Sequence, residues 1–534
     1  MIINRLNKNI KNIINALQSY SENLENFKVL NAYNKILNQQ IKDEFQGFNN
    51  ILIDGGFYNL GYYYRLQLVR AALNSNDKKE HAFIWDCNQF TCQNILNSLK
   101  IDNVSYLKKS FRKDINLKAE KIYKEIKTKH NLINYSFPQG VPGIFLYDAI
   151  LKGQKAPTVN FNDHLVKKFI LKFISSIEFS ENLINNFKPD IILLSHAVSY
   201  QCAPLAWIAA KKKIPVLILY GQYGVPRFWR LTKPEDIFFG IGHPSKKDLK
   251  DISSEKIDKL KIIGNKYIKK RISGLCISND IGSKYAFRNK RNNQIDIIKN
   301  KHQNRKIVAI YLGNWFDFPH IYGMSRFLDI LDWITSTIKS AAKNKNVLWL
   351  IKPHPMDEWY GGLTLKDILK EKLPSNIILL PNEYPGKEMI ENADALVTYH
   401  GTSALEYASL GKPVMVADRG WYHDFGFTKF PKSKEDYLIS LTQDWYKSID
   451  KNKIESNAKL FTGLYFGIPN WQKDAVLPDD AYRKTLRKHL PKFINSKNKV
   501  IKKEINLIQE WIKSGEIDYH TFKIKNSNKY ALPK

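Results

Sequence analysis

The chain has 534 residues, a formal net charge of +32 and an apolar share of 43%. A typical domain has roughly 150 residues, so a chain of this length contains more than one. The apolar share is too high for a disordered protein. No apolar run approaches the roughly 18 residues of a membrane-spanning helix, and residues 1–8 lack a secretion signal. The four cysteines form no Cys-x-x-Cys pair, which predicts a reducing, cytoplasmic setting without structural zinc.

The net charge has two interpretations. One is a basic, solvated surface without a specific partner. The other is attraction to anionic partners, namely nucleotide phosphates, an acidic glycan or the anionic surface of the inner membrane, where the protein would be peripheral. A nucleic-acid partner is not expected, because the sequence has no helix-turn-helix signature, no aromatic RNA-binding motif and no concentrated arginine patch.

Residues 1–46 form a polar segment with helical periodicity. Its apolar residues recur at helical spacing, for example at Ile10, Ile13, Ile14 and Leu17. We predict an N-terminal helical segment. It is either a packing helix or an amphipathic helix that lies on a membrane surface.

Residues 47–270 contain short apolar runs that alternate with helical stretches. The predicted strands lie at 50–54, 81–86, 190–195, 214–220 and 236–240. Such runs between helices are typical of a parallel sheet that is covered on both faces. We therefore predict a first Rossmann-like domain here.

The alternating pattern stops and then restarts further along the chain. Residues 271–305 are polar and basic and are predicted to be a linker. A second Rossmann-like domain is predicted at 306–430, and residues 431–534 read as helices that pack back on the first domain. The predicted strands of the second domain lie at 306–312, 347–351, 376–380, 395–398 and 413–416.

The predicted fold class is therefore α/β, with two doubly wound domains that face a cleft and helical extensions at both termini. Ligands of open α/β sheets bind outside the carboxyl ends of the strands. Two such sheets that face each other place one site between the domains. The second domain then holds a donor, and the first holds an acceptor.

The Lys-Pro-His-Pro motif at 352–355 directly follows a predicted strand. The prolines fix the local backbone, so the imidazole of His354 is held where it can bind a phosphate or ribose oxygen. Lys352 adds positive charge nearby. The alternative interpretation is an ordinary proline-rich turn.

Residues 394–418 read as strand, tight loop, helix, turn and strand. Gly401 allows the backbone to turn closely after His400, and Thr402 and Ser403 are natural N-cap residues. Exposed amides at a helix start suit a phosphate, and Glu406 lies one turn further, within reach of a ribose diol. The alternative interpretation is a well-capped crossover helix without a ligand.

These motifs together resemble the bacterial capsule polysaccharide synthesis family. The shared motifs are Lys-Pro-His-Pro at 352–355, Gly-Thr-Ser at 401–403 with Glu406, Gly-Lys-Pro-Val at 411–414, Trp-Tyr at 421–422 and Gly-Phe-Thr at 426–428. In the first domain, residues 221–227 are similar to the family's Glu-x-Gly-x-x-Arg-Pro stretch, with Gln222 where the family has an acidic residue. The resemblance covers about 220–430.

The resemblance implies the GT-B arrangement of glycosyltransferases and a nucleotide-sugar donor. Members of the family include transferases of Kdo, an acidic sugar, from CMP-Kdo. The pattern of Gly-Thr-Ser, Glu and Gly-Lys-Pro-Val also occurs in GT-B enzymes that use UDP- or GDP-sugars. The implied acceptor is a growing capsule or surface polysaccharide, either an oligosaccharide or a lipid-linked glycan, and no cofactor or bound metal is expected.

Catalytic groups must come from loops that face the donor. Asp54 ends the first predicted strand and His196 follows the third, so either can deprotonate an acceptor hydroxyl. Gly313 and Asn314 end the first strand of the second domain and are expected at the donor. Asp317 and His320 follow them as further catalytic candidates. Each candidate also has a purely structural interpretation. If the chemistry is like that of the Kdo transferases in the family, a carboxylate nucleophile would give retention through a covalent intermediate.

Two other classes of function remain open. A sugar-nucleotide epimerase or hydrolase also uses two Rossmann-like units and a similar donor loop. A non-catalytic protein that binds glycan or an anionic membrane through its basic surface is the third possibility. Specific nucleotide affinity is expected of a glycosyltransferase and of an epimerase or hydrolase, but not of the non-catalytic binding protein.

Overall fold

A computed structural model describes Asn31, Leu37, residues 47–466 with short gaps, and residues 498–526. The gaps lie at 75–77, 87–88, 108–111, 223–224, 240–241, 276–284, 288–293, 303–304, 356, 358–360, 370–372 and 448. The N-terminal helical segment predicted at 1–46 therefore lies almost wholly outside the described residues.

The first domain is built on a six-stranded sheet with the order β3-β2-β1-β4-β5-β6. Its strands are β1 Asn50–Asp54, β2 Lys79–Ile84, β3 Val104–Tyr106, β4 Ile191–Leu194, β5 Val216–Gln222 and β6 Val225–Leu231. All neighbours pair in parallel except β5 and β6, which are antiparallel. Alternate residues point to opposite faces. Leu52 accordingly joins one buried cluster, and Ile51 and Ile53 join another.

The predicted strand at 236–240 is wrong. Residues Pro234–Phe239 form a 3₁₀ helix, because the carboxylate of Asp236 accepts hydrogen bonds from the amides of Thr232 and Lys233 at 2.8 and 3.0 Å and closes a tight turn. The last strand of the sheet is instead the antiparallel β6.

The second domain has a five-stranded sheet with the order β11-β10-β7-β8-β9, and all its neighbours are parallel. Its strands are β7 Lys306–Tyr311, β8 Val347–Lys352, β9 Ile377–Leu379, β10 Ala395–Thr398 and β11 Val414–Val416. In both sheets the order of winding reverses beside the first strand, between β1 and β4 and between β7 and β10. Ligands bind at such switch points. The predicted α/β fold with two doubly wound sheets is confirmed.

Helices cover both faces of each sheet. Those described before the second sheet begins are α1 Leu60–Ala72, α2 Gln89–Ser98, α3 Lys113–Glu125, α4 Lys129–Ile133, α5 Gly143–Gln154, α6 Leu165–Phe187, α7 Ser199–Lys211, α8 Ser254–Ile272 and α9 Gln294–Lys301. Those that follow are α10 Ile330–Ala341, α11 Leu365–Ile368, α12 Gly386–Asn392, α13 Ser403–Ala408, α14 Lys434–Leu441, α15 Lys451–Phe466, α16 Asn498–Ser514 and α17 Tyr519–Lys525. Within this part of the chain, no helix combines the length and apolarity that crossing a membrane requires.

Helices α8 and α15 cross at unusually short range because a glycine of each lies at the crossing. A Cβ atom on Gly264 would lie 1.9 Å from the Lys459 carbonyl, and one on Gly463 would lie 1.8 Å from the Leu260 carbonyl. Any side chain at either position would push the helices apart. Both helices pack in the buried cluster beside the second sheet. Helix α8 ends inside the predicted 271–305 linker and helix α9 lies within it. The domain boundaries drawn from the sequence stay predictions.

The C-terminal helices lie against the first domain. The amide of Gln509 in α16 donates to the carbonyl of Ala72 at the end of α1, at 3.1 Å. The amide of Arg230 in β6 donates to the carbonyl of Ile517 at 3.0 Å. The segment before α17 therefore covers the antiparallel edge of the sheet, which would otherwise expose unpaired backbone groups.

Buried polar contacts join the two domains on one side of the cleft. Asp329, fully buried, accepts hydrogen bonds from the hydroxyls of Tyr147 and Thr158, both at 2.7 Å, and from the amine of Lys129 at 3.0 Å. All three donors belong to the first domain. They fix the position of the start of α10 relative to it.

Candidate functional site

Two adjoining cavities lie at the carboxyl ends of the two sheets. The first cavity, of about 320 Å³, lies at the β1/β4 switch point and is lined by Asp54, Gly56, Phe57, Trp85, Ser195, His196, Val198, Gln201, Cys202, Tyr220, Asp317, Phe318 and Tyr322. The second cavity, of about 310 Å³, lies at the β7/β10 switch point and is lined by Tyr220, Gly313, Asn314, Asp317, Pro319, Tyr322, Ile330, Thr398, Tyr399, His400, Gly401, Thr402, Trp421 and Tyr465.

Three residues line both cavities, so the two form one continuous cleft. They are Tyr220 from the first domain and Asp317 and Tyr322 from the second. Each cavity is large enough for a small ligand. A group transferred from one cavity to the other would pass these side chains.

Asp54 lies at the floor of the first cavity, and its carboxylate is largely engaged. Oδ2 accepts from the hydroxyl of Ser195 at 2.5 Å and from its amide at 3.2 Å, and Oδ1 accepts from the amide of Gly56 at 2.9 Å. Burial raises the pKa of this carboxyl, and the bond from Ser195 opposes the rise. Asp54 thus joins the ends of β1 and β4 while it lines the cavity.

His196 lines the same cavity between two aromatic rings. Its ring centroid lies 4.5 Å from that of Phe57 and 5.5 Å from that of Tyr220. Burial, assisted by the charge of Arg65, lowers the pKa of His196 to about 4. The imidazole is therefore neutral near pH 7, but a pKa this far below neutrality makes it a weaker proton acceptor than a general base matched to neutral pH.

Asp317 and His320 occupy different environments. Asp317 lies at the junction of the cavities, with its side chain 38% exposed, and accepts from the amine of Lys152 at 2.6 Å. His320 is buried, and its Nδ1 lies 2.5 Å from Oδ1 of Asp148 in the first domain. His320 lines neither cavity, so the structure brings Asp317 into the cleft and places His320 in the contact between the domains.

Gly313 and Asn314 follow β7 and line the second cavity. A Cβ atom on Gly313 would meet no atom within 4 Å, so this residue faces open space. The side-chain carbonyl of Asn314 accepts from the amide of Phe316 at 3.0 Å. Its buried Nδ2 has no hydrogen-bond partner among the described residues and can donate to a ligand.

His400, Gly401 and Thr402 line the opposite side of the second cavity, after β10. Burial lowers the pKa of His400 to about 4, and its Nδ1 has no hydrogen-bond partner among the described residues. The hydroxyl of Tyr422 donates to the carbonyl of Gly401 at 2.9 Å and fixes this loop. Helix α13 begins at Ser403, but the side chain of Thr402 makes no capping hydrogen bond.

Glu406 does not line either cavity. Its carboxylate accepts from Nε of Arg271 at 2.6 Å, and the two side chains are only 6% and 8% exposed. Arg271 ends α8 and also donates to the hydroxyl of Thr402 at 3.4 Å. The sequence did not indicate this partner, because 135 positions separate the two residues.

Lys352 and His354 are likewise set back from the described lining of the cavities. The buried amine of Lys352 donates to the carbonyl of Tyr384 at 2.6 Å, and burial lowers its pKa to about 8. Burial lowers the pKa of His354 to about 4, and Asp317 opposes this shift, so the imidazole lies near the cleft. The donor and catalytic roles assigned to all these residues stay predictions.

The aromatic lining is what the sequence analysis missed. Tyr220, Tyr322, Trp421 and Tyr465 come from four separate segments and converge on the second cavity. The chain is 13% aromatic. Tyr220 ends the predicted strand at 214–220 and Trp421 begins the Trp-Tyr motif, yet no local pattern marks which rings face a cleft. Across the described part of the chain, no cluster of three or more His, Cys, Asp or Glu side chains could hold a metal ion.

The family model described as capsule polysaccharide biosynthesis protein matches residues 260–438, about a third of the chain. This match contains α13, the loop that follows β10, and the segments around Gly313 and His354. It confirms the resemblance drawn from the sequence motifs. No curated protein matches the chain significantly.

Similar solved structures include three proteins of low identity. KpsC of Thermosulfurimonas dismutans, a beta Kdo 2,4 transferase, is 13% identical over 51% of this chain and 78% of its own, with a TM-score of 0.33. UDP-GlcNAc 2-epimerase of Neisseria meningitidis, bound to UDP-GlcNAc, is 16% identical over 77% and 97%, with a TM-score of 0.23. HepE of Anabaena, in complex with UDP and glucose, is 12% identical over 84% and 100%, with a TM-score of 0.27.

Proposed function

We propose that this chain, whose residues 260–438 match the capsule polysaccharide biosynthesis family model, is a glycosyltransferase that moves a sugar from a nucleotide donor to a glycan acceptor. The observation that carries the proposal is the pair of adjoining cavities at the switch points of two doubly wound sheets. One cavity per substrate is what group transfer between two bound molecules requires.

The second cavity is the proposed donor site. It is bounded by the loops after β7 and β10, where Gly313 leaves open space and where Asn314 and His400 have buried nitrogens without described partners. Such groups can bind the phosphate and the nucleoside of a donor. The backbone at Gly401 and the hydroxyl of Thr402 complete the polar side of the site.

The first cavity is the proposed acceptor site, with Asp317 at its boundary with the donor. In transfer, the acceptor oxygen forms a bond to the anomeric carbon, the bond from that carbon to the phosphate oxygen breaks, and the nucleotide leaves with the electron pair. The acceptor hydroxyl loses its proton, and the carboxylate of Asp317 or the neutral imidazole of His196 accepts it. Asp54 positions the loop that carries His196 through its bonds to Ser195.

The family resemblance suggests CMP-Kdo or another CMP-activated acidic sugar as donor, with UDP- and GDP-sugars as alternatives. The proposed acceptor is a growing capsule or surface glycan. An epimerase would need one sugar-nucleotide site, so the second adjoining cavity favours transfer over epimerisation. Peripheral attachment to an anionic membrane is a separate proposal that follows from the net charge of +32.

The donor assignment is tested by thermal shift with CMP, CDP, UDP and GDP. A nucleotide at a hundred times its dissociation constant should stabilise the protein by about 2.7 kcal/mol. His400→Ala should abolish the shift. His164→Ala, at a side chain that is 88% exposed before α6, should keep it. If none of the nucleotides stabilises the wild-type chain, the proposed function is wrong.

The transfer step is tested with the nucleotide-sugar that corresponds to the stabilising nucleotide. Mass spectrometry should detect an acceptor that has gained one sugar. Asp317→Asn should lower product formation by at least a hundredfold while it keeps the nucleotide shift, since general-base catalysis contributes roughly 10²–10⁴-fold. The matched control is Asp258→Asn, at a side chain that is 72% exposed on α8. Epimerised donor without acceptor product would favour the epimerase alternative.

A further inference from the structure

The described lining of the first cavity differs in charge from the chain as a whole, which carries a net charge of +32. Its lining includes the carboxyl groups of Asp54 and Asp317. Among the described residues that line it, none is a lysine or an arginine. His196 supplies no charge near pH 7, because burial lowers its pKa to about 4.

Three cations described around this cavity have protein partners. The amine of Lys152 lies 2.6 Å from the carboxylate of Asp317, and the amine of Lys172 lies 2.6 Å from that of Asp86. Arg65 is buried and donates from Nε to the carbonyl of Leu219 at 2.9 Å. An anionic ligand would therefore compete with an existing protein contact for each of these cations.

Apolar ring surface makes up much of the remaining lining. The aromatic rings are those of Phe57, Trp85, Tyr220, Phe318 and Tyr322. Rings of this kind bury the C–H faces of a sugar ring, and the carboxyl groups and Gln201 can bind its hydroxyls.

We infer that the first cavity takes an uncharged sugar residue as the acceptor and discriminates against uronic and other acidic sugars. The inference rests on the proposed function, which assigns this cavity to the acceptor. A ligand carboxylate would lose its hydration beside two carboxyl groups and would meet no cation in the described lining. At an effective dielectric of about 20 and a separation of about 6 Å, repulsion from one ionised, unpaired carboxylate weakens binding roughly a hundredfold, and the contact of Lys152 with Asp317 reduces this effect.

Matched pairs of methyl glycosides test the inference directly. The probes are the methyl glycosides of glucose and of glucuronic acid, and those of galactose and of galacturonic acid. Their dissociation constants are measured by ligand-observed NMR, with and without the nucleotide that stabilises the protein. At least one neutral member should bind at least tenfold more tightly than its acid. Equal or tighter binding of both acids would overturn the inference.

A charge placed in the cavity should reverse the preference. Gln201→Lys adds one cation to the lining and should improve binding of the matching acid at least tenfold relative to its neutral partner. Gln443→Lys adds the same charge at an exposed position in the second domain and should leave the ratio unchanged. An unchanged ratio in Gln201→Lys, with wild-type thermal stability, would contradict the assigned cavity.

The same samples separate this inference from the proposed function. Nucleotide stabilisation without binding of either sugar class overturns the inference and leaves the donor assignment standing. Absence of nucleotide stabilisation overturns the proposed function, whatever the sugars do.

Discussion

Replacing Glu406 tests whether its carboxylate serves the fold or the donor. In Glu406→Leu, the guanidinium of Arg271 stays buried, with only 8% of its side chain exposed, and loses the carboxylate oxygen 2.6 Å from its Nε. The hydroxyl of Thr402 also accepts from this guanidinium, at 3.4 Å, but it carries no charge that could replace the carboxylate. Breaking a buried ion pair by removing one partner costs about 3–5 kcal/mol.

This cost should appear as a lower melting temperature. At about 3 °C per kcal/mol for a unit of this size, Glu406→Leu should lower the melting temperature by roughly 9–15 °C. Glu255→Leu is the control, since Glu255 lies on the same helix as Arg271, is 77% exposed and pairs with Lys259 in solvent. Removing such a surface pair should cost less than about 1 kcal/mol.

A double substitution shows whether the loss comes from the stranded charge. Arg271→Met combined with Glu406→Leu removes both ions, and it should recover most of the stability that the single substitution loses. The melting temperatures come from differential scanning calorimetry, and nucleotide shifts are measured on the same proteins. If Glu406→Leu lowers the melting temperature by less than about 3 °C and abolishes the nucleotide shift, Glu406 contacts the donor and the reasoning is refuted.

Three further predictions concern the cleft and the contact between the domains. Gly313→Leu, whose Cβ would meet no atom within 4 Å, should keep the melting temperature and abolish nucleotide stabilisation, because its side chain fills the second cavity. Burial lowers the pKa of His400 from 6.5 to about 4, so below pH 6.5 the unfolded chain binds a proton that the folded protein excludes. The free energy of unfolding, measured by urea denaturation, should therefore fall as the pH is lowered from 6.5 towards 4. It should fall less steeply in His400→Gln, which lacks the titrating imidazole. Asp329→Ala removes the acceptor shared by three first-domain donors and should lower the free energy of unfolding by about 3 kcal/mol in the same assay. The control Asp258→Ala should lower it by less than about 1 kcal/mol. Equal losses in the two variants would contradict the assigned contact between the domains.

The sequence by itself determined the two sheets and the position of the second cavity. Buried parallel strands are local runs of apolar residues, and the loops at their carboxyl ends are fixed once the strands are known. Gly313, His400 and Gly401 were located in this way, and Asp54, His196 and Asp317 fell in the first cavity for the same reason. The strand at 236–240 failed because an aspartate that closes a turn outweighed a short apolar run.

Only the tertiary structure decided which of these side chains are available to a ligand. Glu406 is engaged by Arg271, Lys352 by backbone carbonyls, and His320 by Asp148, each across at least 30 positions of sequence. Such partners are brought together by packing between elements, to which helical or strand periodicity gives no access. The same limit hid the aromatic lining of the cleft and the contacts of the cations around it. The described lining of the first cavity therefore contains carboxyl groups and no lysine or arginine, although the whole chain is strongly basic.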